Sequence, residues 1–192
     1  MDKTFSWSHL SKLLAAATLV LTVAACGSDG TTSTESASTE EGIQLRATNF
    51  ASWDKQLASY QPSVVVLDLW AMWCTPCIKR FPAMVEMHHQ YKDRGVEIVA
   101  VNLDNRDDHA ALEQAEQFIR DVEAEFDNFF MDENLISAFE HFNLIGIPAV
   151  LIYDGQGRER FRLTGNNPNS QFTDKDIEAA IEQLLAEQSQ GI

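Results

Sequence analysis

The chain has 192 residues, of which 45% are hydrophobic and 22% are charged. This length and composition fit one modest globular domain and exclude a collagen-like, a wholly disordered or a multi-span membrane protein. The formal net charge of −15 argues against nucleic acid as a partner, because binding to phosphates depends on an excess of Lys and Arg.

Residues 1–25 have the pattern of an export signal. Lys3 and Lys12 make its start basic, and an apolar run at 13–25 follows, which is shorter than the roughly 20 residues of a bilayer-spanning helix. The sequence Val-Ala-Ala-Cys that ends this region resembles the lipobox of bacterial lipoproteins, which implies that Cys26 carries a lipid. An ordinary signal peptide followed by a chance cysteine is the alternative.

Residues 26–42 follow as a segment rich in Ser, Thr, Gly and Glu. Such a composition buries too little apolar surface to offset the entropy of ordering. We therefore predict a disordered tether that begins at the lipidated Cys26 and a single domain over 43–192.

The domain alternates strand and helix patterns in the order of an α/β fold. In chain order we predict a strand at Ile43–Ala47, a short helix capped by Asn49 or Ser52, a strand at Val64–Trp70, a helix at Pro76–Arg94, a strand at Val96–Leu103, helices at Asp107–Phe126 and Glu133–Phe142, a hairpin of Ala149–Tyr153 and Arg158–Leu163, and a helix at Thr173–Gln188. A parallel βαβ unit followed by a hairpin predicts a central mixed sheet of about five strands with helices on both faces.

Two cysteines lie three residues apart where the second predicted strand gives way to a helix. At this spacing Cys74 and Cys77 can close a disulfide, and the positive end of the helix favours the Cys74 thiolate. The predicted chemistry is attack of Cys74 on a substrate disulfide, followed by displacement of the substrate by Cys77. Pro76 suits the first turn of the helix, where its missing N–H has little effect.

The same cysteine spacing also supplies half of a zinc site, but a tetrahedral site needs two further ligands. The sequence has no second cysteine pair, and its histidines do not form a metal-binding pattern with the cysteines. We predict no metal and no cofactor besides the redox-active disulfide of Cys74 and Cys77. We expect His88 and His89, on the long helix, to be partly exposed surface residues.

The segment Val65–Cys77, with the sequence VVLDLWAMWCTPC, resembles the active-site strand and helix start of thioredoxins, and Gly146–Pro148 resembles their cis-proline loop. With the run at 95–104 and the export signal, residues 43–190 most resemble the membrane-anchored TlpA/ResA-like thiol-disulfide oxidoreductases. The resemblance implies a thioredoxin-like fold. It also implies action outside the cytoplasmic membrane, often as reduction of cysteines in apocytochrome c or other exported proteins.

A cis bond between Ile147 and Pro148 would expose the Ile147 backbone, so that an extended substrate segment could pair with it beside Cys74. A trans proline at the first residue of a strand is the alternative. The other expected substrate-binding residues surround the cysteines in the motif: Trp73, Thr75 and Pro76.

Asp68 is a single acid within an apolar strand, where burial raises the pKa of a carboxyl group. It matches the buried acid of thioredoxins, which implies a proton carrier behind Cys77; a solvated acid at a strand edge is the alternative. TlpA/ResA-like proteins commonly carry a glutamate three residues after the second cysteine, whereas this chain has Arg80. We expect Arg80 either to fold back and favour the Cys74 thiolate or, as the commoner outcome, to point into water.

We therefore predict an enzyme of the bacterial cell envelope, lipid-anchored and facing the periplasm or the outside of the cytoplasmic membrane. It would act as a monomer, with reduction favoured over oxidation, on disulfide-containing exported proteins and with an unidentified membrane thiol donor. The main alternative is a non-enzymatic tethered binding module of the same fold, such as a metallochaperone. A peroxidase is the weaker alternative, because the P-x-x-x-T-x-x-C context of a peroxidatic cysteine is missing.

Overall fold

The structure is a computed structural model that describes residues 42–165 and 171–191. The expected export signal, the lipidation site at Cys26 and all of the tether except Gly42 lie outside the described residues. Within the described part of the chain, no helix is long and apolar enough to cross a membrane.

The described residues form six strands and five α-helices. In chain order these are β1 (Leu45–Thr48), α1 (Phe50–Ser59), β2 (Val64–Trp70), α2 (Thr75–Tyr91), β3 (Val96–Asn102), α3 (His109–Asp121), β4 (Asp127–Met131), α4 (Leu135–His141), β5 (Ala149–Tyr153), β6 (Glu159–Thr164) and α5 (Asp174–Ser189). A 3-10 turn at Lys92–Arg94 follows α2.

The strands build one mixed sheet in the order β1-β4-β3-β2-β5-β6. The first four strands in this order are parallel to their neighbours, and the hairpin of β5 and β6 adds antiparallel to β2. The predicted α/β fold with a mixed sheet is therefore confirmed, and the sheet has one strand more than expected.

The additional strand, β4, falls where the sequence analysis placed no element. The helix predicted to run to Phe126 ends at Asp121, and β4 then pairs on one side with β1 and on the other with β3. Its five residues begin with Asp127 and Asn128, two residue types that are depleted in strands. Asn128 is nevertheless buried, because its side-chain amide donates to the Ala124 and Phe126 carbonyl oxygens at 2.9 and 2.6 Å.

The side chains of β2 alternate between the two faces of the sheet. Val66 and Trp70 belong to the core beneath α2, α3 and α5, whereas Leu67 and Leu69 belong to the core beneath α1 and α4. All seven residues of β2 are buried, including Asp68, as a nearly unbroken apolar run predicts. The helices thus cover both faces, and Asp68 shares the α2 face with Val66 and Trp70.

Helix α2 carries the cysteine motif and is bounded by local signals in the sequence. It begins after Cys74, with Pro76 in its first turn, and Pro82 lies within it. Gly95 ends the following 3-10 turn with a φ of 78°, a left-handed conformation that glycine adopts without strain.

Candidate active site

The two cysteines of the motif form a disulfide at the start of α2. The Sγ atoms of Cys74 and Cys77 are 2.00 Å apart, and their Cα atoms are 5.3 Å apart. Cys74 has 4% of its surface exposed and Cys77 has none. A reacting thiol or disulfide therefore reaches Cys74 before Cys77.

The helix start provides the electrostatic environment that the sequence predicts for Cys74. Cys74 occupies the N-cap position, and the first turn contains no acidic residue. The unpaired N–H groups and the dipole of α2 therefore present partial positive charge to the Cys74 sulfur. This arrangement favours the thiolate in the reduced protein.

A buried acid, Asp104, holds the loop that leads from β2 to Cys74. Its Oδ2 accepts hydrogen bonds from the Met72 backbone N–H at 2.8 Å and from the Asn102 side-chain amide at 2.7 Å. The Asp104 N–H in turn donates to Asn102 Oδ1 at 3.0 Å. The sequence analysis missed this pair, although two polar residues at the end of a buried parallel strand signal a position beside the end of the neighbouring strand.

The two tryptophans near the motif have opposite environments. Trp70 is fully buried and packs against Phe81 and Phe118, with ring centroids 4.8 and 5.5 Å away. Trp73 is 55% exposed, immediately before Cys74. Two further residues expected to bind substrate are also exposed there: Thr75 and Pro76.

The Ile147–Pro148 peptide bond is cis, as expected. Pro148 directly precedes β5, whose Ala149 is paired with Leu69 near the end of β2. The cysteine loop, which follows β2, and the cis-proline loop, which precedes β5, therefore lie at the same end of two adjacent strands. Ile147 is half-buried and Pro148 is buried.

A glycine that the sequence analysis did not single out packs against this proline. The Gly165 N–H donates to the Pro148 carbonyl oxygen at 2.8 Å. A Cβ atom at position 165 would come within 2.8 Å of both Cγ and Cδ of the Pro148 ring. No local signal in the sequence marks this glycine, because its constraint comes from a residue that precedes it by a whole hairpin.

Asp68 is fully buried, so the alternative of a solvated acid at a strand edge is wrong. Its Oδ1 accepts a hydrogen bond from Nη2 of Arg80 and forms an ion pair with it. Burial raises the pKa of Asp68, and the charge and hydrogen bond of Arg80 oppose this rise.

Arg80 adopts neither of the two positions expected from the sequence. Its side chain is only 10% exposed, it turns inward to Asp68, and its guanidinium lies 4.9 Å from the centroid of the Phe172 ring. The physical reason is that a buried carboxylate requires a charge partner, and Arg80 is the cation that α2 presents to β2.

Residues 40–160 match the AhpC/TSA family. The chain belongs to this family. Thiol-disulfide oxidoreductase ResA of Geobacillus kaustophilus (strain HTA426) is 28% identical over 138 residues, which cover 71% of this chain and 72% of that protein. ResA of Oceanobacillus iheyensis is 47% identical over 49 residues, and this match spans about a quarter of that protein, 26% of its length.

A solved structure from Chlorobium tepidum, described as a thiol:disulfide interchange protein DsbE, is similar to this chain with a TM-score of 0.55 and 32% identity. The similarity covers 67% of this chain and 84% of that one. Together with the disulfide at the helix start, these matches make this AhpC/TSA family member a thiol-disulfide oxidoreductase with a thioredoxin-like fold, as the motif predicts.

A second cluster in this family member lies toward the other end of α2. Ligand atoms of His88, His89 and Glu125 lie within 4.8 Å of one another, with His88 half-buried and the other two exposed. Burial, followed by the nearby His89 and Lys92, lowers the pKa of His88. The partial exposure expected of both histidines is confirmed, whereas their proximity to Glu125 depends on the turn between α3 and β4.

Proposed function

We propose that this oxidoreductase reduces disulfides of exported proteins, such as apocytochrome c, outside the cytoplasmic membrane. The observation that carries the proposal is the position of Cys74 at a helix start whose first turn has no acidic residue, at the same end of the sheet as the cis-proline. The buried Asp68 lies on the face of β2 that α2 covers. The names of the ResA and DsbE relatives support the same class of chemistry.

In the proposed reaction, the Cys74 thiolate attacks one sulfur of the substrate disulfide and releases the other as a thiolate. The Cys77 thiol then transfers its proton to Asp68 and attacks the Cys74 sulfur. This step closes the Cys74–Cys77 disulfide and releases the second substrate thiolate. Two electrons pass from the dithiol to the substrate, and a thiol donor at the membrane restores the reduced enzyme.

Exposed apolar side chains on both loops support the proposed substrate site. Trp73 is 55% exposed on the cysteine loop, and Ile145 is 85% exposed on the cis-proline loop. We propose that an extended substrate segment lies between them, with its backbone paired to Ile147 beside Pro148. Thr75 and Pro76 would form the adjoining part of this surface.

The cellular location rests on the sequence. The lipobox-like pattern before Cys26 and the polar tether after it support a protein anchored by lipid in the bacterial cell envelope, which we propose acts as a monomer. A Cys26→Ala variant should become soluble or remain unprocessed. Persistence of the processed variant in the membrane fraction would exclude anchoring through this residue.

The test of the activity is reduction of insulin disulfides with dithiothreitol as the donor. Wild type and a Cys26→Ser control should accelerate the reaction, whereas Cys74→Ser should not. Equal rates for wild type and Cys74→Ser would instead favour the non-enzymatic binding module. A Cys77→Ser variant should trap substrates as mixed disulfides on Cys74, and identifying the captured proteins names the substrate.

Two further measurements test the direction and the chemistry. A midpoint potential near roughly −270 mV would support a reductant, whereas a value near roughly −120 mV would indicate an oxidant. The peroxidase alternative predicts peroxide consumption. It is disfavoured because none of the three cysteines has a threonine three residues before it.

A further inference from the structure

We propose that Arg80 is a positioning residue for the second half of the reaction: it binds Oδ1 of Asp68, favours the ionised form of this carboxyl group and leaves Oδ2 to take the proton of Cys77. The inference rests on the proposed role of Asp68 as proton carrier. It assigns to Arg80 an action on Asp68 and Cys77, and none on Cys74.

The placement of Arg80 follows from the geometry of α2. Arg80 lies three residues after Cys77, which is about one helical turn, so both side chains face the sheet from the same side of the helix. Cys77 belongs to the same buried core as Val66 and Trp70, the two residues of β2 that flank Asp68 on its face. The ion pair and the buried Cys77 therefore lie on the same face of the sheet, the one that α2 covers.

The hydrogen bonds of the pair leave one acceptor unused. Arg80 binds Oδ1 of Asp68, whereas Oδ2 is buried and has no hydrogen-bond partner among the described residues. A buried acceptor without a donor is unfavourable, and native structures contain few of them, often at functional sites. Acceptance of the Cys77 proton would supply the missing donor during the reaction.

Among the charged groups identified near Asp68 in the described part of the chain, only Arg80 stabilises the ionised carboxylate. Arg80 on α2 lowers the pKa of Asp68, while burial and Asp174 on α5 raise it. The strand residues paired with Asp68, Ala100 on β3 and Val150 on β5, carry no charge. Loss of Arg80 would therefore raise the pKa of Asp68 further and disfavour the carboxylate form, which is the form that can accept a proton.

Contact with Phe172 helps to keep the Arg80 side chain turned toward the sheet and away from solvent. Its ring lies 4.9 Å from the guanidinium carbon, and this contact and the ion pair leave the Arg80 side chain only 10% exposed. An arginine held between an aromatic ring and a carboxylate is restricted in orientation. These two contacts therefore hold the guanidinium in the orientation that binds Asp68.

The two halves of the reaction can be timed separately with a symmetric nitroaromatic disulfide that releases a coloured thiolate. The reduced full-length protein, in a Cys26→Ser background, releases one coloured thiolate when Cys74 attacks and a second when Cys77 closes the disulfide. A Cys77→Ser variant, which gives only the first release, assigns the two phases. Each phase is then followed by stopped flow across a range of pH.

We expect Arg80→Gln to slow the second phase at neutral pH by about tenfold and to move its pH midpoint upward, because loss of the guanidinium raises the pKa of Asp68 further. The first phase should change by less than about twofold, because Arg80 does not act on Cys74. Arg80→Lys, which keeps the charge, should restore most of the second-phase rate. Lys79→Gln, the same charge change on the exposed neighbouring residue, should leave both phases unchanged.

A double-mutant cycle decides the assignment. In an Asp68→Asn background, Arg80→Gln should have no further effect on the second phase. An equal slowing in both backgrounds, or a larger effect on the first phase, would overturn the inference and indicate an action on Cys74. A second phase unaffected by Asp68→Asn would refute the proton carrier itself, and with it the role of Arg80.

The cycle remains informative if Arg80→Gln alone does not fold, because the double variant removes both buried charges together. In that case the comparison uses Asp68→Asn and the double variant Asp68→Asn/Arg80→Gln. A second phase that is slower than wild type and equal in these two variants supports the inference. A further slowing in the double variant would show that Arg80 acts on a group other than Asp68, and contradicts it.

Discussion

Asp68 and Asp104 are both buried, one within β2 and the other just after β3, yet they have different partners. Asp104 accepts hydrogen bonds from a backbone N–H and a side-chain amide, which are neutral donors. Asp68 pairs with the Arg80 guanidinium and keeps one oxygen without a partner among the described residues. Asp104 therefore holds the cysteine loop through its hydrogen bonds, whereas the unpartnered oxygen of Asp68 fits the proton transfer that we propose for it.

The largest expected change in stability is at Asp104, the aspartate that holds the cysteine loop. Asp104→Ala should lower the free energy of unfolding of the oxidised protein by about 3 kcal/mol, because the half-buried Met72 N–H and the buried Asn102 amide lose their common acceptor. Urea unfolding measures this change. Asp107→Ala, at an exposed position in the same connection, is the control and should be neutral within about 0.5 kcal/mol. A neutral Asp104→Ala would remove the distinction between the two acids.

Gly165 stabilises the cis-proline loop by close packing, as Asp104 stabilises the cysteine loop by hydrogen bonds. Gly165→Ala places a Cβ atom 2.8 Å from the Pro148 ring, so the loop must shift, at a cost of about 1–3 kcal/mol. We expect a raised KM for a disulfide peptide and a smaller change in the rate of Cys74 attack on a small disulfide. Gly42→Ala, where a Cβ meets nothing within 4 Å, is the control. Equal kinetics for both variants would contradict this role of Gly165.

The pH dependence of stability should distinguish Asp68 as the acid with the raised pKa. In the unfolded chain its carboxyl group ionises near its ordinary value, about pH 4, whereas in the folded protein it ionises at higher pH. Between these values the folded state holds the additional proton, so this contribution to stability is present at low pH and is lost as the pH rises. The slope approaches about 1.4 kcal/mol per pH unit.

Urea unfolding of wild type and Asp68→Asn across this pH range measures the contribution. The stability difference, wild type minus variant, should fall as the pH rises above about 4. A difference that rises instead would show that Arg80 outweighs burial and lowers the pKa of Asp68.

The smallest expected effect is on substrate binding at the exposed Ile145 of the cis-proline loop, for which neither Asp68 nor Asp104 is invoked. Ile145→Ser should raise the KM for a disulfide peptide by a factor of about five, since an exposed apolar contact contributes about 1 kcal/mol to binding. Its stability should stay within about 0.5 kcal/mol of wild type, because the side chain is 85% exposed. Ile136→Ser, at an exposed isoleucine on α4, is the matched control. Indistinguishable KM values for the two variants would exclude Ile145 from the substrate surface.

The elements with strong local patterns were predicted closely, and the weak ones were not. The nearly unbroken apolar run of β2 was placed at Val64–Trp70, as observed. Of the two caps predicted for α1, Asn49 and Ser52, the structure has Asn49, whose side chain accepts a hydrogen bond from the Ser52 N–H at 2.9 Å. Strand β4 was missed because its five residues begin with polar side chains and acquire their burial from the flanking strands β1 and β3. A strand defined mainly by its neighbours has little signal of its own.

The amino-acid sequence by itself determined the cysteine motif at a strand-to-helix junction, the lone acid in an apolar strand and the isoleucine–proline pair before a hairpin. These features depend on residue type and spacing over a few positions, which local physical chemistry governs. Only the tertiary structure decided the partner of Asp68, the loop contact of Asp104 and the packing of Gly165 on Pro148. Each of these joins residues at least 12 positions apart in the chain, and their distances depend on how the sheet and helices pack.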